Sequence, residues 1–480
     1  MTHALTHSLT AAQIRRELAH PIVDADGHFM ELGPMVNDEI IAHLEESGGA
    51  ALRERFLAST SQMLDTAVFP ADRTTPDIVR AWRAMPSWWG NPVSDSYDRA
   101  TAHVPRLMYE RLDEFGIDYM LAYPSWSLGM LDGRDDELRA PVLRALNRYT
   151  SRLFTPYSDR LSSAALIPMN TPQEAVGELR YAVEELGFKS VVIAGHAIRK
   201  LTDDPRDQAY RLDTFGLDSA YDYDPFWAAC VELGITPVTH SSLQSHRSTR
   251  SITNYSFNHI GGLAVSHYEL AKSLVMGGVF TRFPTLRFGF LEGGVAWAVS
   301  LLADLIGHWD KRNAEAITSL DPAILDVEAL LATIGEYGDD AVRSNLDRLR
   351  EHFSRTPGRP EHLDDFAAAG FQSVADIIAV FSERMYFGCE ADDPLVGWAT
   401  GTTIKHRPVR LRPILGTDIS HWDAPVMNEV LVEAFELVTD KVIDAADFRA
   451  FTFENPVSLH TAANKDFFVG TACEQAVAAI

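Results

Sequence analysis

Short apolar runs separated by amphipathic segments recur along most of the chain. Several intervening segments have helical spacing, such as residues 136–157, and residues 171–186 begin with the N-capping residue Thr171 and are followed by Gly187. Alternating strands and helices favour a parallel sheet of the α/β class, and eight such units favour a closed, TIM-like (β/α)8 barrel. The eight runs with the pattern of buried strands lie at about residues 22–26, 116–124, 161–168, 190–194, 235–240, 286–292, 385–388 and 412–416.

Two long segments interrupt this alternation. Residues 31–115 are irregular and rich in aromatic residues and prolines, and residues 321–384 are charged and helical in pattern. Both are too long for simple barrel loops, so we interpret them as insertions, and we expect the first to cover the site. The predicted organisation is an N-terminal lead-in at 1–20, a barrel domain at 21–460 that contains both insertions, and a C-terminal tail at 461–480.

The charge and cysteine content narrow the class of protein. The 67 acidic and 42 basic residues give a net charge of −25, which leaves no basic excess to bind nucleic acid or an anionic membrane surface. The three cysteines are widely spaced and form neither a disulfide framework nor a zinc motif, as is typical of a reducing cytoplasm. No signal-peptide pattern and no apolar run near the roughly 20 residues of a membrane span is found. We therefore expect a cytoplasmic protein whose partner is a small molecule.

Acidic residues and histidines follow four of the predicted strands. Asp26 and His28 lie two positions apart at the end of the first strand, and His240, Glu292 and Asp418 follow the fifth, sixth and last strands. Because barrel chemistry lies at the carboxyl ends of the strands, these side chains are expected to converge. Two imidazoles and two carboxylates suit one divalent ion, zinc first and manganese second, and a further carboxylate nearby can move protons.

Each of these residues also has a structural alternative. His240 can be a satisfied core histidine, Asp418 the N-cap of a following turn, and Glu292 no more than the end of a strand. Asp26 can support His28 rather than bind the ion itself. The agreement of four separate strand ends favours the site interpretation over these alternatives.

Further histidines have open roles. His421 lies three residues after Asp418, where it can orient that carboxylate, line the substrate pocket or do neither, and we keep it as a catalytic candidate. His196 follows the fourth strand and is a candidate for substrate contact. His259 and His267 lie eight residues apart on a predicted helix, and we interpret both as packing residues.

Three motifs carry a resemblance to a known family. The segments VDADGH, GGVFTRFPTLRFGFLEGGVAW and GTDISHWD resemble the amidohydrolase-related family, which is similar to aminocarboxymuconate-semialdehyde decarboxylase and the aromatic-acid decarboxylases. The resemblance runs from about residue 22 to 455. It implies a (β/α)8 barrel with one divalent metal ion, a homodimer, and Asp26, His28, His240 and Asp418 as the metal ligands.

The chain departs from those decarboxylases at two positions. Their first motif is usually His-x-His or Glu-x-His, where this chain has Asp26-x-His28, and their sixth strand usually ends in a histidine, where this chain has Glu292. No lysine ends the fourth strand, where binuclear amidohydrolases carry a bridging carbamate, which favours one ion over two.

We therefore expect a metal-dependent hydrolase that acts on a small cyclic or aromatic carbonyl or carboxylate compound through a metal-activated water. The alternatives are a non-oxidative decarboxylase of an aromatic acid and a non-catalytic binding protein on a decayed barrel.

Overall fold

The computed structural model describes residues 9–58, 94–133, 135–202, 210–240, 251, 254–355 and 364–480. The start of the predicted lead-in lies outside the described residues. So do the central part of the first predicted insertion, at 59–93, and residues 356–363 of the second.

A ring of parallel strands forms the centre of the molecule. One sheet has the order β1-β2-β3 and a second has the order β13-β10-β9-β8-β5-β4, with every neighbouring pair parallel. Two short antiparallel hairpins, β6–β7 and β11–β12, lie outside the ring. The strands are β1 (Val23–Phe29), β2 (Tyr119–Pro124), β3 (Leu161–Ser163), β4 (Ala165–Ile167), β5 (Val191–Ile193), β6 (Ala197–Lys200), β7 (Tyr210–Asp213), β8 (Pro237–Thr239), β9 (Phe288–Phe290), β10 (Met385–Cys389), β11 (Thr402–Ile404), β12 (Arg407–Val409) and β13 (Pro413–Leu415).

The two sheets join into a closed barrel at two places. β3 and β4 are one pass of the chain interrupted at Ala164, so that β3 pairs with β2 and β4 pairs with β5. At the other seam, Asp418 N donates to Asp26 O at 3.0 Å, and His28 N donates to Ile419 O at 3.0 Å. The predicted α/β fold, a (β/α)8 barrel, is confirmed.

Helices surround the barrel and fill the connections between its strands. The predicted cap at Thr171 is confirmed, because its side chain accepts a hydrogen bond from Glu174 N. The helix after β13 begins at Val430, and the segment before it forms a turn in which Glu429 N donates to Val426 O. The α-helices are Ala11–Glu17, Gly33–Ala58, Ser96–His103, Pro105–Phe115, Arg139–Phe154, Pro172–Arg180, Asp224–Glu232, Tyr255–His259, Gly262–Met276, Val279–Arg282, Ala296–Arg312, Val327–Tyr337, Asp340–Arg343, Leu346–Phe353, Val374–Ala379, Val396–Thr400, Val430–Thr439, Ala445–Arg449, Asn455–Thr461 and Glu474–Val477.

The core has a barrel interior and an outer layer between strands and helices. Leu121, Val192 and Val238 belong to the interior cluster, whereas Phe288 and Phe387 belong to the outer cluster together with helix residues. A third, smaller cluster covers the amino-terminal end of the barrel and contains Val23, Tyr119, Phe453, Val457, Phe467, Phe468 and Cys473. Among the described residues, no helix has the length and apolar character needed to cross a membrane.

Candidate metal centre

The first strand places one carboxylate in the site and uses another to hold the barrel closed. Asp24 is fully buried and accepts hydrogen bonds from Thr417 N, Thr417 Oγ1 and Asp26 N at 3.1, 2.6 and 3.1 Å. A side chain at Gly27 would lie 2.8 Å from Asp24 Oδ2 and 2.9 Å from Met120 Sδ, so the close packing beside Asp24 requires glycine. Asp24 is therefore a structural residue, and Asp26 is the acid that faces the site.

Three predicted ligands converge at the carboxyl end of the barrel. His28 Nε2 lies 3.3 Å from His240 Nε2, and Asp26 Oδ1 lies 3.6 Å from the first nitrogen and 3.9 Å from the second. All three side chains are buried, with exposed fractions of 0, 8 and 3 % for His28, His240 and Asp26. Asp26 Oδ1 accepts no hydrogen bond within the described part of the chain.

The loop after β13 adds a fourth predicted ligand and its neighbour. Asp418 Oδ1 lies 2.9 Å from His28 Nε2 and 2.8 Å from His421 Nδ1, but neither contact has hydrogen-bond geometry. The His421 ring stacks on the His28 ring at 3.7 Å, and His421 Nε2 lies 2.8 Å from Ser125 Oγ. Asp418 has a φ of 51°, a left-handed conformation that is uncommon for aspartate and is typical of functional loops.

Glu292 connects two histidines at the other side of the centre. Its Oε2 lies 2.8 Å from His240 Nε2, and its Oε1 lies 3.3 Å from His259 Nε2. Glu292 also has a positive φ, of 55°, two residues after the end of β9. His259, interpreted from the sequence as a packing residue, does pack against other rings, and the short helix Tyr255–His259 also brings it to Glu292. His267 is a packing residue, and its Nε2 lies 2.6 Å from Leu291 O.

The remaining candidate, His196, is separate from this cluster. It is buried just after β5. The described residues contain three groups of possible metal ligands, and within each group the ligand atoms lie within 4.8 Å of one another. None of the three groups includes His196. These groups are Asp26, His28 and His240; His28, Glu292, Asp418 and His421; and His259, Glu292 and Asp423.

The electrostatics of the centre reflect many carboxylates with few counter-charges. Burial, followed by the nearby Glu292 carboxylate, raises the pKa of Asp26 and of Asp418 well above the ordinary value. Burial, together with His421 and His240, lowers the pKa of His28 well below the usual range, so its imidazole is neutral. Burial opposes ionisation of Glu292, but His240 and His259 outweigh it and hold the pKa of that carboxyl well below its ordinary value.

These residues fit a divalent cation. Neutral imidazole nitrogens and carboxylate oxygens are the ligands of zinc and related ions, and here they converge without satisfying one another. Within the described residues, the buried Oδ1 of Asp26 and both carboxylate oxygens of Asp418 accept no hydrogen bond from a nitrogen or hydroxyl donor, and a cation bound there would compensate them.

The sequence was compared with protein families and with solved structures. Residues 23–388 match the amidohydrolase family, which is more than half of the chain. The chain belongs to the amidohydrolase family. It is therefore a metal-dependent enzyme, a hydrolase or a carboxy-lyase, and its cofactor is a divalent metal ion.

Solved structures agree with the fold of this amidohydrolase. An amidohydrolase from Mycobacterium avium subsp. paratuberculosis K-10 is 15 % identical, with a TM-score of 0.54, and the match covers 92 % of this chain and 99 % of that chain. A dihydroxybenzoic acid decarboxylase from Polaromonas sp. JS666, with bound manganese and 2-nitroresorcinol, is 16 % identical over 94 % of this chain and 99 % of that chain, with a TM-score of 0.48.

Sequence patterns did not identify Ser125, His259 or Asp423 as site residues. Ser125 is 296 positions from its partner His421, and His259 is 33 positions from Glu292. The position of Asp423 in the loop just after Asp418 does indicate that it lies near the site. The same holds for every polar residue of that loop, so position alone did not single out Asp423.

Proposed function

We propose that this amidohydrolase is a hydrolase that cleaves a small cyclic or aromatic carbonyl compound. The single observation that supports this reaction best is the chain of contacts from Asp418 through His421 to Ser125. In this chain a carboxylate, Asp418, lies next to a histidine, His421, that can pass a proton on, and we call His421 the relay histidine. Such a pair suits the removal of a proton from water and its return to a leaving group.

Asp26, His28, His240 and Asp418 would hold the ion, which supplies Lewis-acid activation of a water and of the substrate oxygen. Two imidazoles among the four ligands favour zinc, and manganese is the second candidate. Metal analysis of the purified protein, followed by reconstitution of the metal-free protein with each ion, distinguishes the two.

The hydrogen bonds of Ser125 define the protonation of the relay histidine. The Ser125 hydroxyl donates to Phe29 O at 3.0 Å, so it accepts from His421 Nε2, which therefore carries the hydrogen. His421 Nδ1 is then the nitrogen that is free to receive a proton beside Asp418. In this scheme Asp418 takes the proton of the attacking water, His421 receives it, and the leaving group takes it back.

A cavity of about 370 Å³ beside the centre has room for a small substrate. Glu292, His259, Gly293 and Gly294 are among the residues that line it. The described residues around this cavity include Glu390, Asp392 and Asp393 but no lysine or arginine. Because these acids repel a second negative charge, a neutral ester, lactone or amide suits the cavity better than an aromatic carboxylate.

The test is a panel of small aryl esters, lactones and cyclic amides, with acid release measured for the zinc-loaded and manganese-loaded enzyme. Hydrolysis by the wild type and a fall in kcat of about 10²- to 10⁴-fold in Asp418→Asn are expected, as for loss of a general base. Metal content measured in the same samples separates the loss of the proton acceptor from the loss of the ion. No turnover of any member by the metal-loaded enzyme contradicts the proposal.

The contact between Glu292 and His259 favours a second candidate, non-oxidative decarboxylation. A carboxyl and an imidazole 3.3 Å apart at the cavity can hold a proton and deliver it to a ring carbon. Carbon dioxide release from a panel of hydroxylated aromatic acids tests it. Release that depends on Glu292, without hydrolysis of any ester, lactone or amide, replaces the first proposal by this one.

A further inference from the structure

We propose that His259, Glu292 and Asp423 hold a second divalent cation next to the first, with Glu292 shared between the two. This inference assumes the first metal site, but it does not depend on which reaction the enzyme catalyses.

The two oxygens of Glu292 face two different sets of ligands. Oε2 lies 2.8 Å from His240 Nε2, which belongs to the first site, and Oε1 lies 3.3 Å from His259 Nε2. Ligand atoms of His259, Glu292 and Asp423 lie within 4.8 Å of one another. A carboxylate can offer one oxygen to each of two ions, whereas a neutral imidazole has one unprotonated nitrogen and can bind only one ion. The bridge thus gives a physical reason for a glutamate at the end of β9.

Asp423 is a carboxyl group without a nitrogen or hydroxyl donor. Both of its carboxylate oxygens are buried, and within the described chain they accept no hydrogen bond from a nitrogen or a hydroxyl group. The side chain faces the carboxyl group of Asp418, with which it can share a hydrogen bond only when one of the two carries a proton. Two buried carboxyl groups in contact therefore need either a shared proton or a cation beside them.

The cluster contains more carboxyl groups than one divalent ion offsets. The three groups of ligand atoms contain four of them, those of Asp26, Glu292, Asp418 and Asp423, and no lysine or arginine belongs to any of these groups in the described residues. One divalent ion offsets two carboxylate charges, which leaves two carboxyl groups to be neutralised by protons or by another cation. A second ion at His259 and Asp423 would be that cation.

Aromatic packing fixes the orientation of the second histidine. The His259 ring stacks on Tyr255 at 5.4 Å and meets the edge of Trp422 at 5.2 Å. Trp422 Nε1 donates to Tyr255 Oη at 3.2 Å, which ties the helix Tyr255–His259 to the loop that carries Asp423. The ring is thereby held with Nε2 towards Glu292, as a preorganised ligand requires.

The experiment measures metal stoichiometry in the full-length protein. Chelator-treated protein is equilibrated with Mn²⁺, and bound metal is determined by equilibrium dialysis and elemental analysis. We expect about two ions per chain in the wild type and about one in His259→Ala, Asp423→Asn and Glu292→His. Asp392→Asn, an exposed acid at the same cavity, is the matched control and should keep both ions.

Electron paramagnetic resonance provides an independent readout that does not require activity. A bridged pair of Mn²⁺ ions gives an exchange-coupled spectrum in the wild type, and the His259 and Asp423 variants should give the spectrum of an isolated ion. Saturation of the wild type at one ion overturns the inference, as does retention of two ions in both His259→Ala and Asp423→Asn. Either result leaves the first site and the proposed hydrolysis intact, because these depend on His240 and Asp418.

Discussion

The two ends of the barrel differ in how their carboxylates are hydrogen-bonded. At the amino-terminal end, the partly buried Asp118 accepts hydrogen bonds from Ile22 N at 2.8 Å and from Arg15 Nη2 at 2.9 Å. At the carboxyl end, buried oxygens of Asp26 and Asp418 have no nitrogen or hydroxyl donor within the described residues. Since a buried carboxylate without donors is costly, this difference marks the carboxyl end as the end that binds a ligand.

Backbone conformation follows the same division. Glu292 and Asp418 have φ values of 55° and 51°, and they lie two and three residues after the ends of β9 and β13. Such conformations are unfavourable for residues other than glycine and persist where surrounding contacts hold them. The amino-terminal end instead closes with an apolar cluster that includes Tyr119, Phe467 and Phe468. One end of the barrel supplies stability, and the other carries the chemistry.

Substitution of a metal ligand at the carboxyl end should have the largest effect on metal content and activity. His240→Ala should lose the tightly bound ion, and activity should fall by roughly 10³-fold or more, because several kcal/mol of transition-state stabilisation depends on the ion. Elemental analysis and kcat/KM measure both. His308→Ala, an exposed histidine on the helix Ala296–Arg312, should leave both quantities unchanged. Full metal content in His240→Ala would show that the site lies elsewhere.

A substitution at the amino-terminal end of the barrel should lower the free energy of unfolding and leave metal binding unchanged. Phe467 is 1 % exposed and stacks on His460 at 4.1 Å. Phe467→Ala should therefore lower the free energy of unfolding by about 3–5 kcal/mol through the cavity it leaves. Urea unfolding measures the loss, and metal analysis of the folded protein should show no change. A loss below about 1 kcal/mol would remove the stabilising role assigned to this cluster.

The relay at the carboxyl end predicts a smaller kinetic effect. His421→Gln should keep the ion and lower kcat by roughly 10- to 100-fold, as is typical when a supporting residue of a metal centre is lost. Ser125→Ala should act in the same direction and less strongly, because it removes only the acceptor of His421 Nε2. Steady-state kinetics with metal content measured in each sample tests this. An unchanged kcat in His421→Gln would exclude His421 from proton transfer.

The sequence predicted the members of this site that lie near the carboxyl ends of strands. These are Asp26, His28, His240, Glu292 and Asp418, and barrel topology alone brings such positions to one end. His259 and Ser125 could not be predicted in this way. They lie in connections, and their contacts with Glu292 and His421 depend on how those connections pack. The same limit applied to β3 and β4, because the interruption at Ala164 leaves no mark in the apolar pattern.

The smallest expected effect concerns His460, a buried histidine at the amino-terminal end, and the pH dependence of stability. Burial lowers the pKa of His460 from 6.5 to about 3 in the folded protein. Above pH 6.5 the ring is neutral in both states. Below pH 6.5 the ring binds a proton in the unfolded chain but stays neutral in the folded protein. The free energy of unfolding therefore falls as the pH falls, by about 2 kcal/mol between pH 7 and pH 5.

His460→Phe should remove this contribution, so that the unfolding free energy of the variant rises by about 2 kcal/mol relative to that of the wild type as the pH is lowered from 7 to 5. Urea unfolding at both pH values measures the difference. A parallel pH dependence in the two proteins would mean that His460 does not titrate in this way.

Anomalous X-ray diffraction from crystals of the full chain grown with zinc tests the metal site at the carboxyl end of the barrel. A strong anomalous peak is expected there, in contact with Asp26 Oδ1, His28 Nε2, His240 Nε2 and Asp418. Zinc bound only at the protein surface, with those four side chains in contact with one another alone, would contradict this expectation.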